Sequence, residues 1–157
     1  MDVFFLPKCE LSFLSLQIAG WGLTESNFPS ETLNFLEVPV VARVECIEKL
    51  PSNFKSFFTS DKICAGFTNG SAVCPGDSGG GLVFPLQNAT TGFLRWYLRG
   101  VLSNAPTDQN KPCRTDVFAL YTNISKHQNW LSTKMVVSRG KYNFLEVKVT
   151  FKPQQFF

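Results

Sequence analysis

The sequence predicts an all-β protein built as one six-stranded antiparallel barrel. Six short segments rich in β-branched and aromatic residues recur along the chain, and turn-forming residues separate them. Short strands with regular turns between them are typical of a sandwich or a barrel, and six strands suit one antiparallel barrel. The predicted strands are 15–20, 33–40, 62–66, 80–86, 93–103 and 117–123.

Two short helices are predicted beside the strands. In residues 41–50, apolar side chains recur at helical spacing, and Pro51 ends the segment. These apolar residues are Val41, Val44, Ile47 and Leu50. A C-terminal helix is predicted over 125–132, with Ser125 as its N-cap residue.

Length, composition and charge restrict the class of protein. The 157 residues, 44% of them hydrophobic, are enough for one domain with a buried core. A formal net charge of +3 without basic clusters gives no reason to expect a nucleic-acid or membrane partner. No uncharged apolar run reaches the roughly 18 residues of a membrane span. The N-terminus lacks a basic region and is interrupted by polar residues at 7–10, so we expect any export signal upstream of this sequence.

The segment CPGDSGGGLV at 74–83 carries the strongest chemical signal. Ser78 follows an acidic residue, Asp77, and glycines flank the pair. Acyl-transfer enzymes place a nucleophilic serine on a sharp turn whose backbone N–H groups can receive an oxyanion, and glycine keeps side chains out of the way of the substrate. The alternative interpretation is a polar turn, because Gly, Asp and Ser favour turns for local reasons.

Four landmarks together carry a family resemblance. They are AGWGLT at 19–24, DKICAG at 61–66, CPGDSGG at 74–80 and VFALYTNISKHQNWL at 117–131. In this order they closely resemble the chymotrypsin-like (trypsin-like) serine endopeptidases. The resemblance covers residues 15–134 and corresponds to the C-terminal half of that family's catalytic domain, the second barrel of its double barrel. It implies that 1–14 is a remnant of the interdomain connection and that 135–157 is a tail of unknown role.

The resemblance implies a role for each residue around the serine. Ser78 would be the nucleophile, and the N–H groups of Gly76 and Ser78 would form the oxyanion hole. Asp77 would pair with the N-terminal amine that zymogen cleavage creates. The histidine and aspartate of the family's triad precede the serine, but the single histidine of this chain, His127, follows it. We therefore expect His127 to be a surface residue and this chain alone to be inactive.

Two hypotheses follow from the incomplete triad. The sequence is either part of a secreted serine endopeptidase whose remaining residues lie upstream, or a non-catalytic serine protease homologue that acts as an interaction module. The retained nucleophile turn favours the first. Under that hypothesis the partners are a protein or peptide substrate and the N-terminal half of the peptidase domain, with no cofactor and no metal.

The resemblance also locates a substrate pocket. Its walls would come from the residues around Cys74, from the end of the fifth strand and from the segment that enters the sixth strand. The corresponding residues are Ala72, Val73, Pro75, Ser103, Asn104, Ala105 and Asp116. Ala72 stands where trypsin-like members have an aspartate. Asp116 could bind a cationic side chain from the opposite wall, narrow the pocket, or face solvent.

Five cysteines leave one without a partner inside the chain. The resemblance implies the disulfides Cys46–Cys64 and Cys74–Cys113, and leaves Cys9 for a link to the missing half. A third family disulfide would join the positions of Leu16 and Phe84, where we expect an apolar contact instead. Disulfides indicate an oxidising compartment, so we expect a secreted protein. The GGGL after Ser78 and the long loop 104–113 resemble insect modular proteases.

Overall fold

The computed structural model describes residues 16–87, 92–108 and 111–135. The chain divides into two compact units, Met1–Lys126 and His127–Phe157. The first unit holds six strands in one antiparallel sheet of order β2-β1-β4-β5-β6-β3. The strands are β1 Leu16–Gly20, β2 Asn34–Val38, β3 Lys62–Ala65, β4 Gly81–Gln87, β5 Leu94–Asn104 and β6 Ala119–Asn123. The predicted all-β class and its six strands are confirmed.

The two edge strands of the sheet approach each other where the chain leaves them. Val41 N donates to Cys64 O at 2.9 Å, and Gly66 N donates to Pro39 O at 3.1 Å. An isolated antiparallel bridge joins Val40 to Ala65 at the same place. These bonds satisfy backbone groups at what would otherwise be open sheet edges, so the sheet curls towards a closed barrel.

The barrel interior is a continuous apolar cluster. Leu16 and Phe84 both belong to it, with 0% and 7% of their surfaces exposed. They lie on neighbouring strands, because Gln17 of β1 pairs with Val83 of β4. An apolar pair therefore occupies the positions where the family resemblance implied a missing disulfide.

A second apolar cluster lies where helix α1, Arg43–Lys49, meets the barrel. Among the residues of α1 only Cys46 is buried, whereas Val44 and Ile47 are 71% and 37% exposed. The helix is held instead by the Cys46–Cys64 disulfide and by Arg43, whose guanidinium lies 4.4 Å from the centre of the Phe58 ring. The predicted helix is present, and its apolar stripe faces the cluster only at its ends, through Val41 and Leu50.

The C-terminal helix differs in detail from the prediction for 125–132. A 3₁₀ turn covers Ile124–His127, and helix α2 covers Gln128–Met135. Ser125 does not act as the predicted cap acceptor. Its N–H and its hydroxyl both donate to Asn123 Oδ1, at 3.1 and 2.8 Å. Asn123 therefore starts the turn, as Asx side chains commonly do.

Some predictions fall on residues that lie outside the described ranges. They concern the connecting segment 1–14, including Cys9, and residues 136–157 of the tail. Within the described ranges, every helix is too short or too polar to cross a bilayer.

Candidate active site

Ser78 lies on the turn that leads into β4, and its side chain is exposed. The turn is closed by two local hydrogen bonds, from Asp77 N to Cys74 O at 3.0 Å and from Gly80 N to Asp77 O at 2.9 Å. It is also tied to β5, because Gly79 N donates to Leu102 O at 3.0 Å and Leu102 N donates to Gly80 O at 2.9 Å. The serine is thus presented to solvent by a backbone that is fixed on both sides.

Two N–H groups of this turn remain uncommitted. Those of Cys74, Asp77, Gly79 and Gly80 each donate to an oxygen of the protein. Those of Gly76 and Ser78 have no acceptor among the described residues. Gly76 has a φ of +102°, a conformation that a residue with a side chain rarely adopts. The turn consequently leaves two donors free beside the serine hydroxyl.

The carboxylate of Asp77 points away from the serine and into the protein. Its Oδ1 accepts from Gly22 N at 2.8 Å, and its Oδ2 accepts from Cys74 N at 2.9 Å. A Cβ added to Gly22 would lie 2.5 Å from Asp77 Cγ, and a Cβ on Gly20 would also collide with this carboxylate. The two glycines of the AGWG segment are needed because the carboxylate occupies the space of their side chains.

Both predicted disulfides are present. Cys46–Cys64 has a Cα–Cα distance of 6.3 Å, and Cys74–Cys113 has one of 4.8 Å. The second bond fixes the start of the nucleophile turn to the loop before β6. A further backbone bond, from Leu23 N to Pro75 O at 3.0 Å, fixes the same turn to the segment after β1.

A small cavity, with room for about 10 Å³, lies in the barrel beside the segment that precedes the nucleophile turn, and its mostly apolar lining includes Arg114. Its lining includes Ala72, Val73 and Ala105 of the predicted pocket residues. Pro75, Ser103, Asn104 and Asp116 are not in this lining. Sequence reasoning missed Ala119 and Tyr121, which also line the cavity. The available signal was strand alternation, since residues two apart in β6 share one face of the sheet.

The hydroxyl of Tyr121 is the one unusual polar group of this cavity. Tyr121 is fully buried, and its hydroxyl has no hydrogen-bond partner among the described residues. Burial raises the pKa of Tyr121 above its ordinary range, and the negative charge of Asp77 raises this pKa further. The phenol is therefore neutral at physiological pH.

Asp116 adopts the solvent-facing alternative among those predicted for it. Its side chain is 62% exposed, and it forms two hydrogen bonds of 2.7 Å with Arg114. These hydrogen bonds lower the pKa of Asp116, and the charge of Arg114 adds to the effect. The carboxylate is already paired and lies outside the cavity lining, so it gives the cavity no negative charge.

A larger cleft of about 600 Å³ lies beside the nucleophile turn and shares Ala72 and Val73 with the small cavity. Asp77 lines it together with Gly22, Thr24, Ser71 and Lys111. Within the described ranges, no three His, Cys, Asp or Glu side chains come together as metal ligands would.

Comparison with known proteins agrees with this geometry. The sequence model of the Trypsin family matches residues 14–131. The chain is 35% identical over 121 residues to CLIP domain-containing serine protease HP8 of Bombyx mori, which covers 76% of this chain and 30% of that protein. It is 33% identical over 143 residues to Melanization protease 1 of Drosophila melanogaster, covering 84% and 34%.

Human kallikrein-8 is 33% identical over 127 residues, which cover 78% of this chain and 41% of that protein. The chain thus spans between 30% and 41% of the length of these three relatives. Because the family model covers more than half of the sequence, the resemblance carried by the four landmarks is confirmed. This chain belongs to the trypsin family of chymotrypsin-like serine proteases.

Proposed function

We propose that this chain carries the nucleophile and the oxyanion hole of a secreted serine endopeptidase. One observation carries the proposal. An exposed serine hydroxyl, Ser78, lies beside two N–H groups, those of Gly76 and Ser78, that have no acceptor among the described residues. Backbone donors that are free and fixed in place are what a developing oxyanion requires.

The reaction would proceed by acyl transfer. A general base takes the proton of Ser78 Oγ as that oxygen bonds to the peptide carbonyl carbon, and the carbonyl oxygen gains the negative charge. The two free N–H groups stabilise this charge, and each such donor typically contributes about a hundred- to a thousand-fold in rate. Collapse breaks the C–N bond, the amine leaves with the proton, and water then hydrolyses the acyl-enzyme.

The general base and the residue that orients it would come from polypeptide outside this chain. The single histidine, His127, follows Ser78 in sequence, and the relatives are longer than the chain. The segment with Cys9 would provide a covalent link to that polypeptide. The 157 residues alone are therefore proposed to be inactive.

The cleft beside Asp77 would receive a positively charged group. Asp77 has backbone donors on both carboxylate oxygens, and each oxygen has a second lone pair that can accept another bond. An N-terminal amine created by cleavage has the charge and size for this cleft. The cleft therefore supports activation of a zymogen, in which binding of the new amine to Asp77 fixes the nucleophile turn.

The apolar cavity supports a preference for a small uncharged side chain before the scissile bond. Its lining holds alanine, valine and the cation Arg114 and no carboxylate, since Asp116 lies outside the lining. A buried cation there would have no counter-charge and would be strongly unfavourable. Of the remaining predicted pocket residues, Pro75, Ser103 and Asn104 are proposed to contact the substrate outside this cavity.

Secretion is part of the proposal. Both disulfides join parts of the fold that are distant in sequence, with separations of 18 and 39 residues, and such bonds persist in oxidising compartments. Their presence supports an extracellular protease.

Labelling with a fluorophosphonate tests the proposed function. The protein encoded by the full-length transcript, after activation, is expected to react at Ser78, and peptide mass spectrometry would locate the adduct. A Ser78→Ala variant is the matched control and should not react. The 157-residue chain alone is expected to react far more slowly. Absence of labelling in the activated full-length protein would overturn the proposal and favour a non-catalytic interaction module.

A further inference from the structure

Lys62 lies at an unexpected place for a lysine. Its side chain is only 16% exposed, and its ammonium donates to Thr122 Oγ1 at 2.9 Å and to Ser103 Oγ at 3.2 Å. Lys62 belongs to β3 and pairs directly with Thr122 of β6. The ammonium therefore reaches across β6 to the end of β5.

The charge of Lys62 is only weakly compensated. The Oδ2 atom of Asp61 lies 3.9 Å from the ammonium, beyond the roughly 2.7–2.9 Å of a charge-assisted hydrogen bond. The other oxygen of Asp61 accepts from the hydroxyl of Thr59. An ammonium has three donors, and hydroxyl oxygens accept two of them here. One N–H of the ammonium has no hydroxyl acceptor and is available to a further anion.

Asn104 supplies a second donor beside the ammonium. Ser103 Oγ accepts a hydrogen bond from Lys62, and the Ser103 hydroxyl donates one to Asn104 Oδ1 at 2.7 Å. Because Oδ1 faces Ser103, the Nδ2 amide group faces away from it. This amide donates to no described residue, and the Asn104 side chain is partly exposed. The hydroxyl thus orients the amide as a neighbouring donor.

These donors are next to the nucleophile turn. Leu102 is bonded to both Gly79 and Gly80, and Ser103 and Asn104 follow it directly in β5. The β5–β6 register shifts between Leu102 and Asn104, so Ser103 is an extra residue in the strand. Such bulges re-aim side chains near functional sites. Here the bulge directs the Ser103 hydroxyl towards Lys62.

We infer that Lys62 and Asn104 form a carboxylate-binding site that selects peptide substrates with Glu or Asp among the residues preceding the scissile bond. The inference rests on the proposed function, because it needs a peptide that extends from Ser78 along the end of β5. An extended peptide advances about 3.3 Å per residue, so one of its first few side chains would pass these donors. A carboxylate can accept from the ammonium and from the amide together.

Binding to an inactive variant tests this site separately from catalysis. The full-length activated protein with Ser78→Ala would be titrated with dye-labelled peptides and followed by fluorescence anisotropy. Alanine occupies the residue before the scissile bond, which suits the small cavity. A single Glu is moved through the three positions that precede this alanine, and each peptide has a Gln counterpart.

We expect one Glu position to bind about ten-fold more tightly than its Gln counterpart, as a charged hydrogen-bonded pair allows. Lys62→Met should bring this ratio close to one. Lys49→Met removes the same charge from an exposed position of α1 and should leave the ratio unchanged. Asn104→Ala should lower the ratio partially, and it provides a second variant should Lys62→Met fail to fold.

Equal binding of Glu and Gln peptides at all three positions would overturn the inference. An unchanged ratio in Lys62→Met would also overturn the inference. A lower melting temperature of Lys62→Met with an unchanged peptide preference would do the same, because Lys62 would then bind a carboxylate of the protein's own polypeptide. Fluorophosphonate labelling without a Glu preference would leave the proposed function intact. A Glu preference without labelling would contradict the proposed protease activity and would still support the carboxylate-binding site.

Discussion

The two disulfides of the barrel lie in regions with opposite properties. Cys46 and Cys64 are 0% and 2% exposed and belong to an apolar cluster under α1. Cys74 and Cys113 are only partly buried, and they join loops that carry positive-φ glycines and uncommitted N–H groups. The first region buries its disulfide among apolar side chains, whereas the second holds donors free at the protein surface.

This difference separates stability from function. In the α1 region the covalent bond adds to burial, so its role is to keep a short helix on the barrel. In the nucleophile region there is little apolar burial to hold the loops, and the disulfide and the Asp77 carboxylate hold the turn instead. Substitutions in the two regions should therefore change different measurements.

The largest effect is expected from Gly22→Ala. The added methyl group would collide with the Asp77 carboxylate, so this group must move and the nucleophile turn loses its support. We expect the fluorophosphonate labelling rate of the full-length activated protein to fall by about a hundred-fold or more, comparable to the loss of an oxyanion donor. Gly81→Ala is the matched control, because its methyl group meets only the flexible end of Leu98. Equal labelling of the two variants would contradict the proposed support.

Removal of each disulfide by paired Cys→Ala substitutions tests the comparison directly. In the chain-entropy model, loss of Cys46–Cys64 lowers the free energy of unfolding by about 3 kcal/mol, and loss of Cys74–Cys113 lowers it by about 4 kcal/mol. The labelling rate of the folded protein should stay within about two-fold for the first pair. It should fall by roughly ten- to a hundred-fold for the second, as expected when catalytic geometry is loosened. Urea unfolding would measure the free energy of unfolding, and labelling kinetics would measure the reactivity of Ser78. Equal labelling rates for the two variants would contradict the proposed difference between the two regions.

The smallest effect is expected from Tyr121→Phe. The raised pKa of Tyr121 means that the folded protein keeps the phenol neutral when the unfolded chain begins to ionise near pH 10. This contribution to stability is complete below that pH and is lost as the pH rises towards the raised value. Tyr121→Phe should therefore lose less stability than the parent between pH 9 and pH 11.

Below pH 9 the same variant should be as stable as the parent or slightly more stable, since it removes a buried hydroxyl without a partner. Tyr97→Phe, at a side chain that is 40% exposed, is the control and should follow the parent across the pH range. An alkaline loss in Tyr121→Phe that equals or exceeds that of the parent would contradict the raised pKa of Tyr121.

The strands could be predicted from the sequence because their composition and spacing are local properties. The segment predicted at 62–66 is the strand Lys62–Ala65, and that at 80–86 is Gly81–Gln87. The helix over 41–50 was predicted from an apolar stripe of which the structure leaves the middle, Val44 and Ile47, exposed. Its position depends on the disulfide and on Arg43, which no periodicity reveals.

The site was predictable only in part. The nucleophile turn and the cysteine pairing followed from a family resemblance, whereas the position of Asp116 depended on a pair with Arg114 that spacing alone left open. Lys62 escaped notice because its partners, Ser103 and Thr122, lie 41 and 60 residues away. The family resemblance implied the N–H groups of Gly76 and Ser78 as donors, and the structure adds that neither has an acceptor among the described residues.

The most direct test of the central claim is a crystal structure of the fluorophosphonate adduct of the activated full-length protein. We predict that phosphorus is bonded to Ser78 Oγ and that its unesterified oxygen lies about 2.7–3.1 Å from the backbone nitrogens of both Gly76 and Ser78. An adduct whose oxygen points to solvent, with these two N–H groups bonded to carbonyl oxygens of the protein, would contradict the account.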